Sequence, residues 1–89
     1  MEKTMQDLSK NVKLEMQWDE QQLIHNIYVE GELRLRMVID HNDYPMGGLY
    51  YFEYYKDEDG DHEDRISEME YRWKLTGYVK KDERKEQRK

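Results

Sequence analysis

A chain of 89 residues with 36% hydrophobic and 40% charged side chains has room for one modest core and no second domain. Its eleven aromatic residues argue against disorder, and the lack of cysteine excludes a disulfide framework, a thiolate nucleophile and a cysteine-rich zinc site. The net charge of −6 is unevenly placed: residues 53 to 70 carry nine acids against Lys56 and Arg65, whereas residues 80 to 89 carry six basic side chains against three acids.

Met1 to Lys13 holds no apolar run of signal-peptide length, and nowhere do 18 apolar residues follow one another, so a cytoplasmic protein is expected. Thr4 to Asn11 allows a helical turn or two through Met5, Leu8 and Val12, marginal in isolation. Val12, Leu14, Met16 and Trp18 alternate with polar residues, the period of a half-buried strand. Residues 20 to 30 read as a strand with Leu23, Ile27 and Val29 on one side, or as a helix capped by Asp19 and ended by Gly31. The strand is preferred, with Glu30-Gly31 turning the chain into a further strand at 32 to 39, where Leu33, Leu35, Met37 and Ile39 alternate. Turn formers Asn42, Asp43, Pro45, Gly47 and Gly48 precede LYYFEYYK at 49 to 56, and Asp59-Gly60 supplies another turn. Met69, Tyr71, Trp73 and Leu75 again alternate and predict a strand, against a rival helix whose capping box starts at Ser67. The tail from Lys80 has no apolar residue and is expected to be solvated, helical or disordered.

These elements predict a mostly β fold, a small antiparallel sheet or partly open barrel of four to five strands, with α+β carrying a helix at 20 to 30 as the alternative. Residues 1 to 11 form a polar segment, 12 to 79 the globular domain, and 80 to 89 a charged tail.

The loop DEDGDHED at 57 to 64 gathers oxygen ligands around a glycine, as a hard cation requires. Aligned on Gly60 with an EF-hand loop, however, it places Tyr55 and Ile66 where the first and last oxygen ligands belong, and a solvated hairpin tip is expected instead. His25, His41 and His62 lack the spacing of a helical metal pair. Ser9, Ser67, Thr4 and Thr76 lie in no nucleophile motif, and Gly47-Gly48 lacks the lysine of a phosphate loop. No catalytic residue, metal or cofactor is expected, and the chain reads as a non-enzyme.

On the strand at 49 to 56, Tyr51, Glu53 and Tyr55 point opposite to Tyr50, Phe52 and Tyr54. With the second set in the core, the first stands outside beside the acidic segment. Tyr51, Glu53, Tyr55, Asp57, Asp59, Asp61 and Asp64 are therefore the predicted partner-binding residues. Carboxylates speed association with a basic target and tyrosines supply rigid contact area, which suits a regulator or inhibitor docking on a basic protein surface. A nucleic-acid-binding enzyme or factor is one such target. In size and charge the chain resembles small acidic phage and mobile-element proteins that act on host factors. The alternative is a nucleic-acid-associated regulator using Arg34, Arg36, Arg72, Lys74 and the basic tail, although the acidic segment would repel phosphates. Self-association through a strand edge is a third reading.

Overall fold

The computed structural model describes residues 2–41 and 48–87. Asn42, Asp43, Pro45 and Gly47, read above as turn formers, lie outside them, as does Tyr44. Six strands, β1 (Glu2–Asp7), β2 (Val12–Trp18), β3 (Gln22–Val29), β4 (Glu32–Asp40), β5 (Gly48–Asp57) and β6 (Gly60–Ile66), form one antiparallel sheet in sequence order. The helix α1 (Glu68–Gln87) follows. The sheet stays open, with β1 and β6 as its two edges, so the mostly β expectation stands in its open-sheet form. Among the described residues no helix is long and apolar enough to cross a membrane.

Local chemistry explains the turns. Glu30 (φ 52°) and Gly31 (φ 84°) both take positive φ, the two-residue hairpin turn whose twist matches the flanking strands. Asp19 Oδ1 accepts the amide N–H groups of Gln21 (2.7 Å) and Gln22 (2.8 Å), which closes the β2–β3 turn and holds the Asp19 carboxyl below its ordinary range. Ile27 faces Leu35 while Tyr28 faces Leu33, so Arg34 is the extra residue of a β-bulge.

The helix crosses one face of the sheet. Val12, Ile27, Leu35, Tyr51 and Tyr71 form the buried core, with Leu14, Met37, Ile66, Leu75, Tyr78 and Val79 around it. Tyr71 and Tyr51 rings meet at 5.0 Å between centroids, and burial pushes the Tyr71 hydroxyl up to about 12. Farther along, Asp82 reaches the β1–β2 turn: Ser9 Oγ donates to it at 2.6 Å, Asn11 N–H at 2.7 Å and Asn11 Nδ2 at 2.9 Å. Those three donors, the Ser9 hydroxyl first, hold the Asp82 carboxyl below its ordinary value.

Several expectations are corrected. Residues 67 to 76 do not form a strand, because Ser67 caps α1 with its hydroxyl 3.1 Å from the Glu70 amide. The buried set Tyr71, Leu75, Tyr78 and Val79 has helical spacing, and alternation at 69 to 75 places Met69 and Trp73 in solvent instead. Thr4 to Asn11 is not helical; residues 2 to 7 add β1 to the edge of β2, and residues 60 to 66, read as part of an acidic loop, pair with β5 as β6, so the count is six even without a strand at 67 to 76. Residues 80 to 87 continue α1, the helical of the two forms expected for the tail, with Asp82 buried among exposed neighbours. Leu33 leaves the face of Leu35, Met37 and Ile39 because the Arg34 bulge intervenes. The faces of β5 are the reverse of those expected: Tyr51 lies in the core, and Tyr50, Phe52 and Tyr54 occupy the side away from the helix.

Candidate functional site

The β5–β6 hairpin is built by Asp57 and Gly60. Asp57 Oδ1 accepts the Asp59 N–H at 2.8 Å, and Gly60 at φ 112° takes a backbone conformation that side chains rarely allow. At the same oxygen, His62 Nε2 lies 2.7 Å away. The His62 ring stacks on Tyr55, with centroids 4.9 Å apart and planes 16° from parallel, on the side of the sheet that carries the helix. A hydrogen bond with Asp64 pushes the Tyr55 hydroxyl above its ordinary value.

Around that stack the hairpin exposes Asp57, Glu58, Asp59, Asp61, Glu63 and Asp64. Its two cations are engaged locally. Lys56 Nζ lies 4.0 Å from Asp61, and the Arg65 guanidinium sits 4.7 Å above the Tyr50 ring. Between the β3–β4 turn and the turn end of the hairpin a groove of about 360 Å³ runs along Leu33, Arg34, Tyr54, Tyr55 and His62. Negative charge with one flat aromatic pair beside a groove can attract and then seat a basic side chain.

The structure thus brings together Tyr55, Asp57, Asp59, Asp61 and Asp64. It separates Tyr51, buried under Tyr71, and Glu53, which accepts from Lys74 Nζ beneath the helix. The residues of the alternative basic patch do not converge. Arg34 pairs with Glu32 at 2.6 Å on the bulge, Arg72 with Glu68 at 2.7 Å, and Lys74 with Glu53. Arg36 points to the opposite face, where its Nε donates to Asn26 Oδ1 at 2.7 Å and its guanidinium lies 5.3 Å from the Tyr54 ring centroid.

That opposite face holds a polar row that sequence reasoning missed. Lys3 Nζ sits 3.2 Å from Glu15, Asn26 Nδ2 donates to Glu15 at 3.0 Å, and Arg36 follows in the next strand. Gln17 also donates to Glu15, whose residue is only 6% exposed. Burial works to raise the Glu15 pKa, but hydrogen bonds from Asn26, Gln17 and Lys3 hold it below the ordinary value. The available signal was the cross-strand register of Glu15, Asn26 and Arg36, with Lys3 diagonal to Glu15 and opposite Gln17, invisible until strand pairing is known. A further groove of about 430 Å³ lies between the β3–β4 turn and the end of α1, where Lys85 pairs with Glu30 at 2.9 Å.

Compared with known protein families, curated proteins and solved structures, the chain shows no significant match to any of them.

Proposed function

We propose that this chain is a non-enzymatic protein-binding module that docks its β5–β6 hairpin on a basic surface of a partner, acting there as a regulator or inhibitor. One observation carries the reading: six exposed carboxylates share a single hairpin whose only cations are held by its own side chains and by Tyr50. Association is steered by the carboxylates, while the Tyr55–His62 stack supplies flat contact area at small entropic cost. A nucleic-acid-binding protein suits this geometry, since its groove already accepts a row of negative charge. The contact residues are then Tyr55, Asp57, Glu58, Asp59, Asp61, Glu63 and Asp64, without Tyr51 and Glu53.

The test uses immobilised chain and a panel of basic nucleic-acid-binding proteins, with association followed at low and high salt. The wild type should bind at least one member with a rate that falls steeply as salt rises, and an oligonucleotide should compete. Replacing Asp57, Asp59, Asp61 and Asp64 together by Asn should slow association and flatten its salt dependence. Unchanged kinetics in that variant, or direct binding of the oligonucleotide by the chain itself, would sink the reading.

A further inference from the structure

The helix has a second face that the fold does not use. Tyr71, Leu75, Tyr78 and Asp82 turn toward the sheet, whereas Met69, at 80% exposure, and Trp73, at 77%, stand outward one turn apart. A tryptophan this exposed is a large apolar surface left in water, and aromatic side chains are enriched where proteins associate. Between Trp73 and Lys80 on the same side lies Gly77, in mid-helix with nothing within 4 Å of where its Cβ would stand. Glycine is among the poorest helix formers, and no internal contact requires it there. Its use is explained if another backbone or ring approaches α1 closely at that point.

Charge along this face tells what approaches. Of its acids Glu70 stands on this face in the first turns, and Lys80, Lys81 and Arg84 stand on it in the later turns, whereas Glu68 turns away and pairs with Arg72. A face with Glu70 toward one end and Lys80 toward the other can pair those two charges with the same face of a second copy run antiparallel. Consider a twofold axis across the helix at the level of Leu75. It brings Trp73 over Gly77 of the other copy, Glu70 beside Lys80, and Met69 along the alkyl stem of Lys81, each contact made twice. Trp73, Gly77, Glu70, Lys80 and Lys81 fall on one side of a 3.6-residue helix, so no unwinding is needed. The helix dipoles also oppose one another favourably in this arrangement.

We infer that α1 is a homodimerisation element, with a second copy of this chain seated antiparallel on the Met69–Trp73–Gly77–Lys80 face. The assembly is sheet, helix, helix, sheet, closed by twofold symmetry, and the two acidic hairpins remain outside the contact. This inference stands independently of the hairpin's partner. One helix per copy supplies a contact at the small end of specific interfaces, so the dimer forms in a concentration-dependent equilibrium.

Sedimentation equilibrium of the full chain over a wide concentration range tests it. Wild type should move from monomer to dimer. Trp73→Ser should weaken the dimer by about tenfold or more, as expected for loss of a central aromatic anchor. Gly77→Leu should weaken it comparably while favouring the helix, so circular dichroism and thermal melting will show a monomer at least as well folded. Glu70→Lys should also weaken association, and adding Lys80→Glu in the same chain should restore it, because the swapped pair still matches across the twofold axis. A monomer at every concentration, or a dimer unaffected by Trp73→Ser and Gly77→Leu, overturns the inference. Failure of the charge swap to restore association overturns the antiparallel arrangement.

Discussion

Glu15 sits in the middle of a sheet face that no helix covers, yet it is among the least exposed residues of the chain. Long neighbours from three strands close over it and supply its donors, which is how a buried charge becomes tolerable. Asn26 is central, because it donates to Glu15 and accepts from Arg36. Asn26→Leu should therefore cost about 1–3 kcal/mol in chemical denaturation, since the carboxylate keeps its burial and loses a partner. In the apolar core, Leu35→Ala should cost about 2–5 kcal/mol by the same measurement, the usual range for a fully buried leucine. The pH dependence has a definite sign. Glu15 and Asp82 both have folded-state pKa values below their ordinary 4.5 and 3.8, so their contributions are full above those values and are lost as pH falls through the lower folded-state ones. Denaturant midpoints measured from neutral pH down to strong acid should fall in that acid window, and less so in Glu15→Gln than in wild type. A variant with the same acid slope would remove Glu15 from the account.

Among the elements, α1 depends on both of its ends. Its first half is held by Tyr71 against Tyr51 and by Lys74 on Glu53, its second by Asp82 on the β1–β2 turn. Asp82→Ala should accelerate amide hydrogen exchange in residues 80 to 87 and leave residues near Tyr71 protected; uniform acceleration would mean that the helix opens as one unit. At the acidic hairpin, Gly60→Ala should cost about 1–2 kcal/mol in thermal or chemical melts, because φ of 112° is strained for any side chain. Period-two patterning made β2, β3 and β4 legible, since alternate positions of those strands supply the apolar core through Val12, Ile27 and Leu35. It could not show β1, where EKTMQD is exposed throughout and becomes a strand only by pairing with β2. Nor could it choose the inner face of β5, because Tyr51 and Tyr55 on one side rival Tyr50, Phe52 and Tyr54 on the other. The helix makes that choice, through Tyr71. Inside the run KKDERK, Asp82 looks like one more hydrated charge, and only the fold brings Ser9 and Asn11 to it. The acidic hairpin was legible because its carboxylates are contiguous in the chain.

At the scale of the whole molecule, charge segregation works on stability and on binding in opposite directions. Crowding six exposed carboxylates onto one hairpin raises the energy of the folded chain through mutual repulsion, while the few ion pairs there are solvent-exposed and weak. Salt shortens the reach of that repulsion from roughly 30 Å at 0.01 M to about 3 Å at 1 M. Thermal midpoints of the free protein should therefore rise with added sodium chloride. Replacing Asp57, Asp59, Asp61 and Asp64 by Asn should leave the midpoint at low salt unchanged or higher, except for the part of the turn that Asp57 builds through the Asp59 amide. Restoring Asp57 in that variant separates the two contributions, because repulsion scales with the number of charges and the turn depends on one. If the midpoint instead falls with salt in every variant, the native ion pairs outweigh the repulsion, and the hairpin's charge costs the folded protein nothing. A net stability cost, borne in the free state and relieved against a basic surface, would give the same carboxylates both their destabilising effect and their value in association.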